Sequence, residues 1–387
     1  MSLLSQLVGE LCSDRVEYKT LGELCKIETG KLDANAAVDG GEFAFFTTAK
    51  EVSRIDCFRW DTEALLISGN ANVGNVKHYI GKFEAYQRTY VLTKFSEIID
   101  VRYLYFILCS RLKQYLETRS NKAAMTYIVL GTLKAFPIPI PSLSVQRKIV
   151  RILDNFVELA TELTAELAAR KKQYEYYRNQ LLKFDACSSS QVKWLSLGEV
   201  ATDMYRGSGI KRDEVTETGT PCVRYGEIYT SYNVWFDTCI SHTNLGTKTF
   251  GHGDILFAIT GESVAEIGKS CVYMGNEKCY AGGDVVVMKH NQNPKYISYV
   301  LSTVDAQMQK SKGRVKSKVV HSNIPALKEI TIPIPSLKEQ ERIVEILDCF
   351  DALTTDITQG LPAEIAVRQK QYEYYRDKLL AFKERDA

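Results

Sequence analysis

The sequence predicts an α+β protein. Two mixed α/β domains are separated by two long helices with coiled-coil seams that can close on each other, and the whole is a pseudo-two-fold internal repeat. Three observations carry that class. A fifteen-residue phrase, RKKQYEYYRNQLLKF at 170–184, returns as RQKQYEYYRDKLLAF at 368–382. Upstream of it, FPIPIPSLSVQRKIVRILDNF at 136–156 returns as ITIPIPSLKEQERIVEILDCF at 330–350. The segments before each IPIPSL share a pattern of strand and helix but little sequence, whereas the segments after it are near duplicates. Each unit therefore joins a common frame to a part that has diverged.

Residues 1–20 read as an N-terminal segment, with an amphipathic turn at 3–11 and a polar stretch to Tyr18. From Leu21 the first domain offers strands at 43–47, 64–67, 76–80 and 89–92, separated by Gly and Asn turns. A helix is predicted at 101–117, with Leu104, Ile107, Leu108, Leu112, Tyr115 and Leu116 on its buried stripe. The alternating prolines of IPIPSL fix φ and remove donors, which favours extended chain leading into the next helix. Ser142 suits the N-cap of that helix, and Gln146 falls in its first turn. Large apolar residues then recur in steps of four and three: Ile149, Leu153, Phe156, Ala160, Leu163, Leu167, Tyr174, Tyr177, Leu181 and Phe184. That spacing is a coiled-coil seam, interrupted at Arg170. A helix of about 40 residues is about 60 Å long, too long to be buried in one small domain.

The polar run DACSSSQ at 185–191 marks a linker. The second domain opens with WLSLGEV at 194–200, an echo of KTLGELC at 19–25. Its predicted strands lie at 222–225, 254–260, 270–273 and 285–288, and its helix at 294–310, with Pro294 in the first helical position. The second frame repeats the N-cap at Ser336, the glutamine at Gln340 and the seam from Ile343 to Phe382. Four extra residues enter it around Gly360, Leu361 and Pro362. Such an insertion keeps the seam on one face and alters its winding, and Gly with Pro predicts a kink or a short break. Two matching seams can close on each other; the alternative is that each packs on its own domain. If Tyr174, Tyr177, Tyr372 and Tyr375 belong to the seam, Tyr176, Arg178, Tyr374 and Arg376 are the candidates for contact with a partner, since tyrosine joins an apolar body to a polar tip.

A length of 387 residues predicts two or three domains. The apolar fraction of 45% and charged fraction of 25% are ordinary for a soluble protein. No apolar run reaches the length needed to cross a bilayer, and residues 1–10 lack a signal-peptide pattern, so the expectation is a cytoplasmic protein with no membrane partner. Ten cysteines without a C-x-x-C pair, and five histidines without ligand spacing, argue for reduced thiols and against structural metal. A net charge of +2 decides nothing about nucleic acid, because an electrostatic footprint depends on where charges lie.

No catalytic constellation is visible. An amino-methyltransferase needs an Asn/Asp-Pro-Pro-aromatic loop, but NPKY at 293–296 has Lys295 in place of the second proline and opens a helix. A phosphate loop is absent, so no nucleotide binds by that route. The acids show no nuclease-like spacing. The expectation is therefore no catalytic residue, no metal and no cofactor on this chain.

Binding signals are richer. QKSKGRVKSKVVH at 309–321 spaces Lys310, Lys312, Arg314, Lys316 and Lys318 by two, which in an extended strand puts five cations on one face, suited to a phosphate backbone. A solvated basic loop is the alternative. The equivalent region of the first domain retains Arg119 and Lys122. SGNANVGNVK at 68–77 and TGESVAEIGK at 260–269 follow strands and end in Lys77 and Lys269. Their glycines allow close approach, and Asn70 and Asn72 can read base edges, although plain hairpin turns would look the same. Arg88, Arg206, Lys211, Arg212, Arg224 and Tyr225 complete the DNA-binding candidates.

The duplicated unit, the IPIPSLSVQRKIVRILD and IPIPSLKEQERIVEILD phrases and the two KQYEYYR copies resemble the DNA specificity subunit of type I restriction-modification systems. The first copy departs in lacking the GLPAEI segment at 360–365. The resemblance implies two target-recognition domains, at 21–140 and 187–335, held apart by conserved long helices at 141–186 and 336–387 that form an antiparallel coiled coil. Each domain would read one half of an interrupted target on double-stranded DNA. The frame would dock two methyltransferase subunits, with restriction subunits joining them, and S-adenosylmethionine, ATP and Mg would sit on those partners. The alternatives are a self-sufficient methyltransferase or nuclease, and a coiled-coil adaptor with no DNA role.

Overall fold

The structure, a computed structural model, describes residues 15–119, 127–184, 192–313, 319–355 and 360–384. The chain divides into two compact units, Met1–Ala165 with Ala363–Ala387, and Glu166–Pro362.

In the first unit, apolar runs such as ALLI at 64–67 bury every side chain and so lie at the centre of a sheet rather than at its edge. The six-stranded sheet runs Lys26–Thr29, Thr89–Thr93, Trp60–Ser68, Val76–Ala85, Phe43–Phe46, Ser53–Ile55. Its pairings are antiparallel except that of Phe43–Phe46 with Val76–Ala85. The helix Val101–Arg119 buries Leu104, Ile107, Leu108, Leu112 and Leu116 as the stripe predicted. Tyr115, expected on that stripe, is half-buried and edge-on to Phe136. The expected polar stretch to Tyr18 is instead a strand, Arg15–Thr20, paired with Pro137–Ile140 and Lys383–Glu384. Residues 1–14, where the amphipathic turn was expected, lie outside the described residues, as does the linker at 185–191.

The second unit uses the same strand order. Ala201–Arg206, Val285–His290, Ile255–Ala258 and Ser270–Tyr273 stand where the first four strands stand in the other unit, and the next neighbour, Trp235–Phe236, is again parallel. A second five-stranded sheet, Val215–Thr216, Ser241–Thr243, Thr220–Val223, Cys279–Ala281, Thr249–Phe250, has no equivalent in the first unit's described residues.

Three expectations change here. The strand predicted at 222–225 ends at Val223, because Glu227 accepts the Arg224 N–H (3.1 Å) and starts the helix Tyr225–Thr230. The strand predicted at 254–260 is interrupted into Ile255–Ala258 and Thr260–Gly261. The helix predicted at 294–310 is two, Pro294–Leu301 and Val304–Ser311. Ser302 and Thr303 donate their hydroxyls back to the Tyr299 and Val300 carbonyls (2.7 Å each), and Thr303 caps the second helix. Pro294 does occupy the first turn, behind an Asn293 cap that accepts the Tyr296 N–H.

Frame contacts recur at matching positions. Leu21 N–H donates to Phe136 O (2.9 Å) in one unit, and Leu197 N–H to Ile330 O (2.8 Å) in the other. Gln146 and Gln340 are both fully buried at 0% exposure. Gln146 accepts the Asp100 N–H (2.8 Å) and donates to the Ile98 and Pro141 carbonyls; Gln340 accepts the Asn293 N–H (3.0 Å) and donates to Gln292 and the Pro335 carbonyl. A buried amide whose groups are all paired in this way fixes the start of the frame helix against the N-terminus of the domain helix. Salt bridges repeat the pattern, Arg102 with Asp154 (2.8 Å) and Lys295 with Asp348 (2.7 Å).

The frame helix of the first copy is continuous over 39 residues, Leu143–Leu181. Its early turns belong to the first unit and its later turns to the second. The described helices of the second copy are Leu337–Thr355 and Leu361–Leu379, with Gly360 in a bend outside the second; residues 356–359 lie outside the described residues. Within the first unit, Ile149 and Leu153 share a core with Leu379, Leu380 and Phe382, and Phe156 stacks on Tyr375 at 5.7 Å. Within the second, Leu182 shares a core with Ile343 and Leu347, and Tyr177 stacks on Phe350 at 5.6 Å. In each unit early turns of one helix meet late turns of the other, so the pairing is antiparallel. The seam is not dry throughout, as a strict heptad would predict: Tyr177 remains 41% exposed despite its stack.

Candidate nucleic-acid interface

The second unit gathers five of the candidate DNA contacts, Arg206, Lys211, Arg212, Arg224 and Tyr225, around one cleft. Strand Ala201–Arg206 runs into RGSG, where the Gly207 N–H donates to Val285 O (2.8 Å) and the Ser208 N–H to Ala281 O (2.9 Å). A Cβ on Gly207 would stand 2.2 Å from Gly282 O, so only glycine lets the two loops pass this closely. The opposite wall is the start of helix Tyr225–Thr230. Between them lies a cleft of about 820 Å³, rimmed by Lys211, Arg212, Arg224, Tyr225, Gly283 and Asp284.

The cations of this rim are held to different degrees. Arg206 donates through Nε to Gly283 O and through Nη2 to the Asp284 carboxylate. Arg224 donates through Nε to Glu227 Oε1 at 3.0 Å. Glu227 is buried and also accepts the Ser241 hydroxyl at 2.7 Å, so the arginine is braced by a fixed anion. Lys211 and Arg212 are exposed at the edge of a short turn in which the Lys211 N–H donates to Glu214. Sequence reading missed Glu227; the R-x-x-E spacing at a helix start, 224–227, is the signal that finds it.

Elsewhere in this unit the described start of the basic run, 309–313, is helix and turn rather than the expected strand. Lys310 lies on the helix Val304–Ser311 and is 4% exposed. Its ammonium donates to Leu301 O (2.7 Å) and Ser270 Oγ (3.2 Å), and burial lowers its pKa to about 7. It is an internal tie that satisfies the end of the preceding helix, and the five-cation face is corrected accordingly. Lys312 follows the helix and is exposed, whereas Arg314, Lys316 and Lys318 lie outside the described residues. Lys269 ties inward too, donating to Tyr229 O at 3.0 Å.

In the first unit the SGNANVGNVK turn is internally bonded. Asn72 donates to Thr48 O (2.8 Å) and Lys77 to Ala49 O (2.7 Å), binding the 47–51 loop, and burial lowers the Lys77 pKa. Asn70 pairs through its backbone with Tyr127, while its Oδ1 is enclosed without a hydrogen bond among the described residues. Arg88 is exposed, and its carbonyl accepts the Gly69 N–H at 2.8 Å. Arg119 is exposed and stacks on Tyr115 at 4.5 Å; Lys122 lies outside the described residues. A basic and aromatic patch went unread in the sequence: Lys82 lies over Phe58 at 4.8 Å and Arg59 over Trp60 at 4.6 Å. The run CFRW at 57–60, with cation and rings interleaved, is its signal.

On the frame, Tyr176 and Tyr374 are 60% and 56% exposed. Each sits edge-on to its neighbour, Tyr177 or Tyr375, at 5.4 and 5.2 Å. Arg178 lies over Tyr174 at 5.6 Å, and burial pushes the Tyr174 phenol up to about 12. Arg376 lies over Tyr372 at 5.6 Å and bonds Asp377. Among the described residues no His, Cys, Asp and Glu cluster could hold a metal, and no helix is long and apolar enough to cross a membrane.

Comparison with known proteins places this arrangement. The sequence model of the type I restriction modification DNA specificity domain matches twice, at residues 13–170 and 191–367. The EcoR124I/EcoR124II type I restriction enzyme specificity subunit of Escherichia coli is 33% identical over 294 residues, 73% of this chain and 71% of that one. Among solved structures, the type I restriction-modification S subunit from M. genitalium aligns with TM-score 0.57 at 16% identity, covering 95% of this chain and 97% of that one. A chain from a structural study of complex assembly and conformational transition in the type I R-M system aligns with TM-score 0.65 at 16% identity, covering 95% and 98%. With both repeats matched and the fold shared end to end, the chain belongs to the type I restriction-modification DNA specificity family, as a DNA-recognition subunit that leaves catalysis to its partners.

Proposed function

We propose that each unit reads one half of an interrupted target on double-stranded DNA, and that the paired frame helices set the spacing of the halves. The supporting observation is the repeat itself: sheet order, buried glutamine and salt bridge recur in both units, while the second unit's additional five-stranded sheet has no equivalent among the first unit's described residues. A frame that holds two different readers is expected to be constant where they are variable. The exposed tyrosines Tyr176 and Tyr374 mark equivalent faces for two methyltransferase subunits, with restriction subunits joining the assembly. S-adenosylmethionine, ATP and Mg belong on those partners. The candidate contacts that fit this reading are Arg88, Arg119, Arg206, Lys211, Arg212, Arg224, Tyr225 and Lys312.

The test is exchange of residues 193–313 for the corresponding segment of another family member, followed by mapping of methylated sites. The account predicts that one half of the target changes and the other persists. An unchanged target would remove the assignment.

A further inference from the structure

We propose that Arg224 is a guanine-reading residue of the second unit, presenting its two Nη groups as a fork to O6 and N7 of one guanine in the major groove. The inference rests on the DNA-recognition reading above and assigns a base and an atom set within it.

Three features single out Arg224. Its Nε is engaged by Glu227 at 3.0 Å, and among the described residues neither Nη has a hydrogen bond, so the edge that can make two parallel contacts is the one left open. The brace is rigid, since the Glu227 side chain is 7% exposed and also accepts the Arg224 N–H and the Ser241 hydroxyl. A guanidinium held in this way keeps its plane and has less freedom to lose on binding. Finally, the pair is close to neutral overall. A neutral pair gains less from a phosphate than an unpaired cation does, yet keeps its donors for the uncharged acceptors of a base edge.

The other cations of the rim do not share these properties. Arg206 uses both Nε and one Nη on Gly283 and Asp284, which leaves no complete fork. Lys211 is a point charge without a fork, and Arg212 has no acid fixing its guanidinium among the described residues. The approach to Arg224 is open: a Cβ on Gly226 or Gly209 would meet nothing within 4 Å. Base edges can therefore come close to this part of the cleft.

The experiment uses the assembled complex of this chain with its methyltransferase subunits. Methylation is measured on a duplex panel in which each base pair of the mapped target is varied singly. Arg224→Lys is the main variant because it keeps the charge and stem and loses the fork; Arg224→Ala accompanies it. One G·C position in the half-site assigned to the second unit is expected to lose roughly ten- to hundred-fold discrimination in both variants, with every other position unchanged. Uniform loss across all positions with a flatter salt dependence would make Arg224 a phosphate contact and overturn the proposal. So would unaltered discrimination in Arg224→Lys, or a wild-type half-site without a G·C pair. If exchange of the whole second unit redirects that half-site while Arg224→Lys does not, only this inference falls; if the exchange itself has no effect, the reading beneath it falls.

Discussion

At the scale of single residues, burial separates ties from contacts. Lys310 titrates at about 7 because it is desolvated, well below the roughly 10.4 of an unfolded lysine. The unfolded chain therefore binds more protons across pH 7 to 10, and stability rises with pH in that window by up to about 1.4 kcal/mol per unit. Below about pH 7 both states carry the proton and the full penalty stands. Denaturant unfolding of wild type and Lys310→Met at pH 7 and pH 9 is expected to show the wild type gaining on the variant; parallel behaviour would mean the ammonium is solvated. Lys312, by contrast, is exposed, and Lys312→Ala is expected to weaken binding to all DNA sequences and to reduce the salt slope by about one, measured by titration at several ionic strengths. The sequence made these two lysines look alike, because alternation implies a shared face only in a strand. A helix capped at Thr303 turns Lys310 inward, and no charge pattern foretells that.

At the scale of elements, the two frames should respond alike. Leu153 and Leu347 occupy the same position of the repeat and both have 0% exposure. Leu153→Ala and Leu347→Ala are each expected to lose about 2–5 kcal/mol, read as a lowered unfolding midpoint of the complex. A loss at one position without the other would show that the two copies are not structurally equivalent. The frame was legible because its signal is redundant: heptad spacing, proline approach and near-verbatim repetition all point to the same helices. The bend at Gly360 was legible from the Gly and Pro of the inserted residues. The buried roles of Gln146 and Gln340 were not, since a glutamine in a first turn reads equally well as a solvated cap neighbour. In the recognition units, strand positions followed from apolar runs and turn residues. Their shared order did not, because many sequences satisfy one sheet topology and pairing partners leave no local mark.

For the whole molecule, the claim is that a constant frame holds two dissimilar readers at a fixed interval along DNA. Deleting the four residues that the second copy gains near Gly360 is expected to change the permitted gap between half-sites, read as methylation of duplexes with shorter and longer gaps; full efficiency at the original gap alone would contradict it. The most direct measurement is a genome-wide map of methylated bases in cells carrying this chain with its methyltransferase subunits. The account predicts two short specified sequences separated by an unspecified gap of constant length. A single uninterrupted target, or methylation without sequence preference, would contradict it.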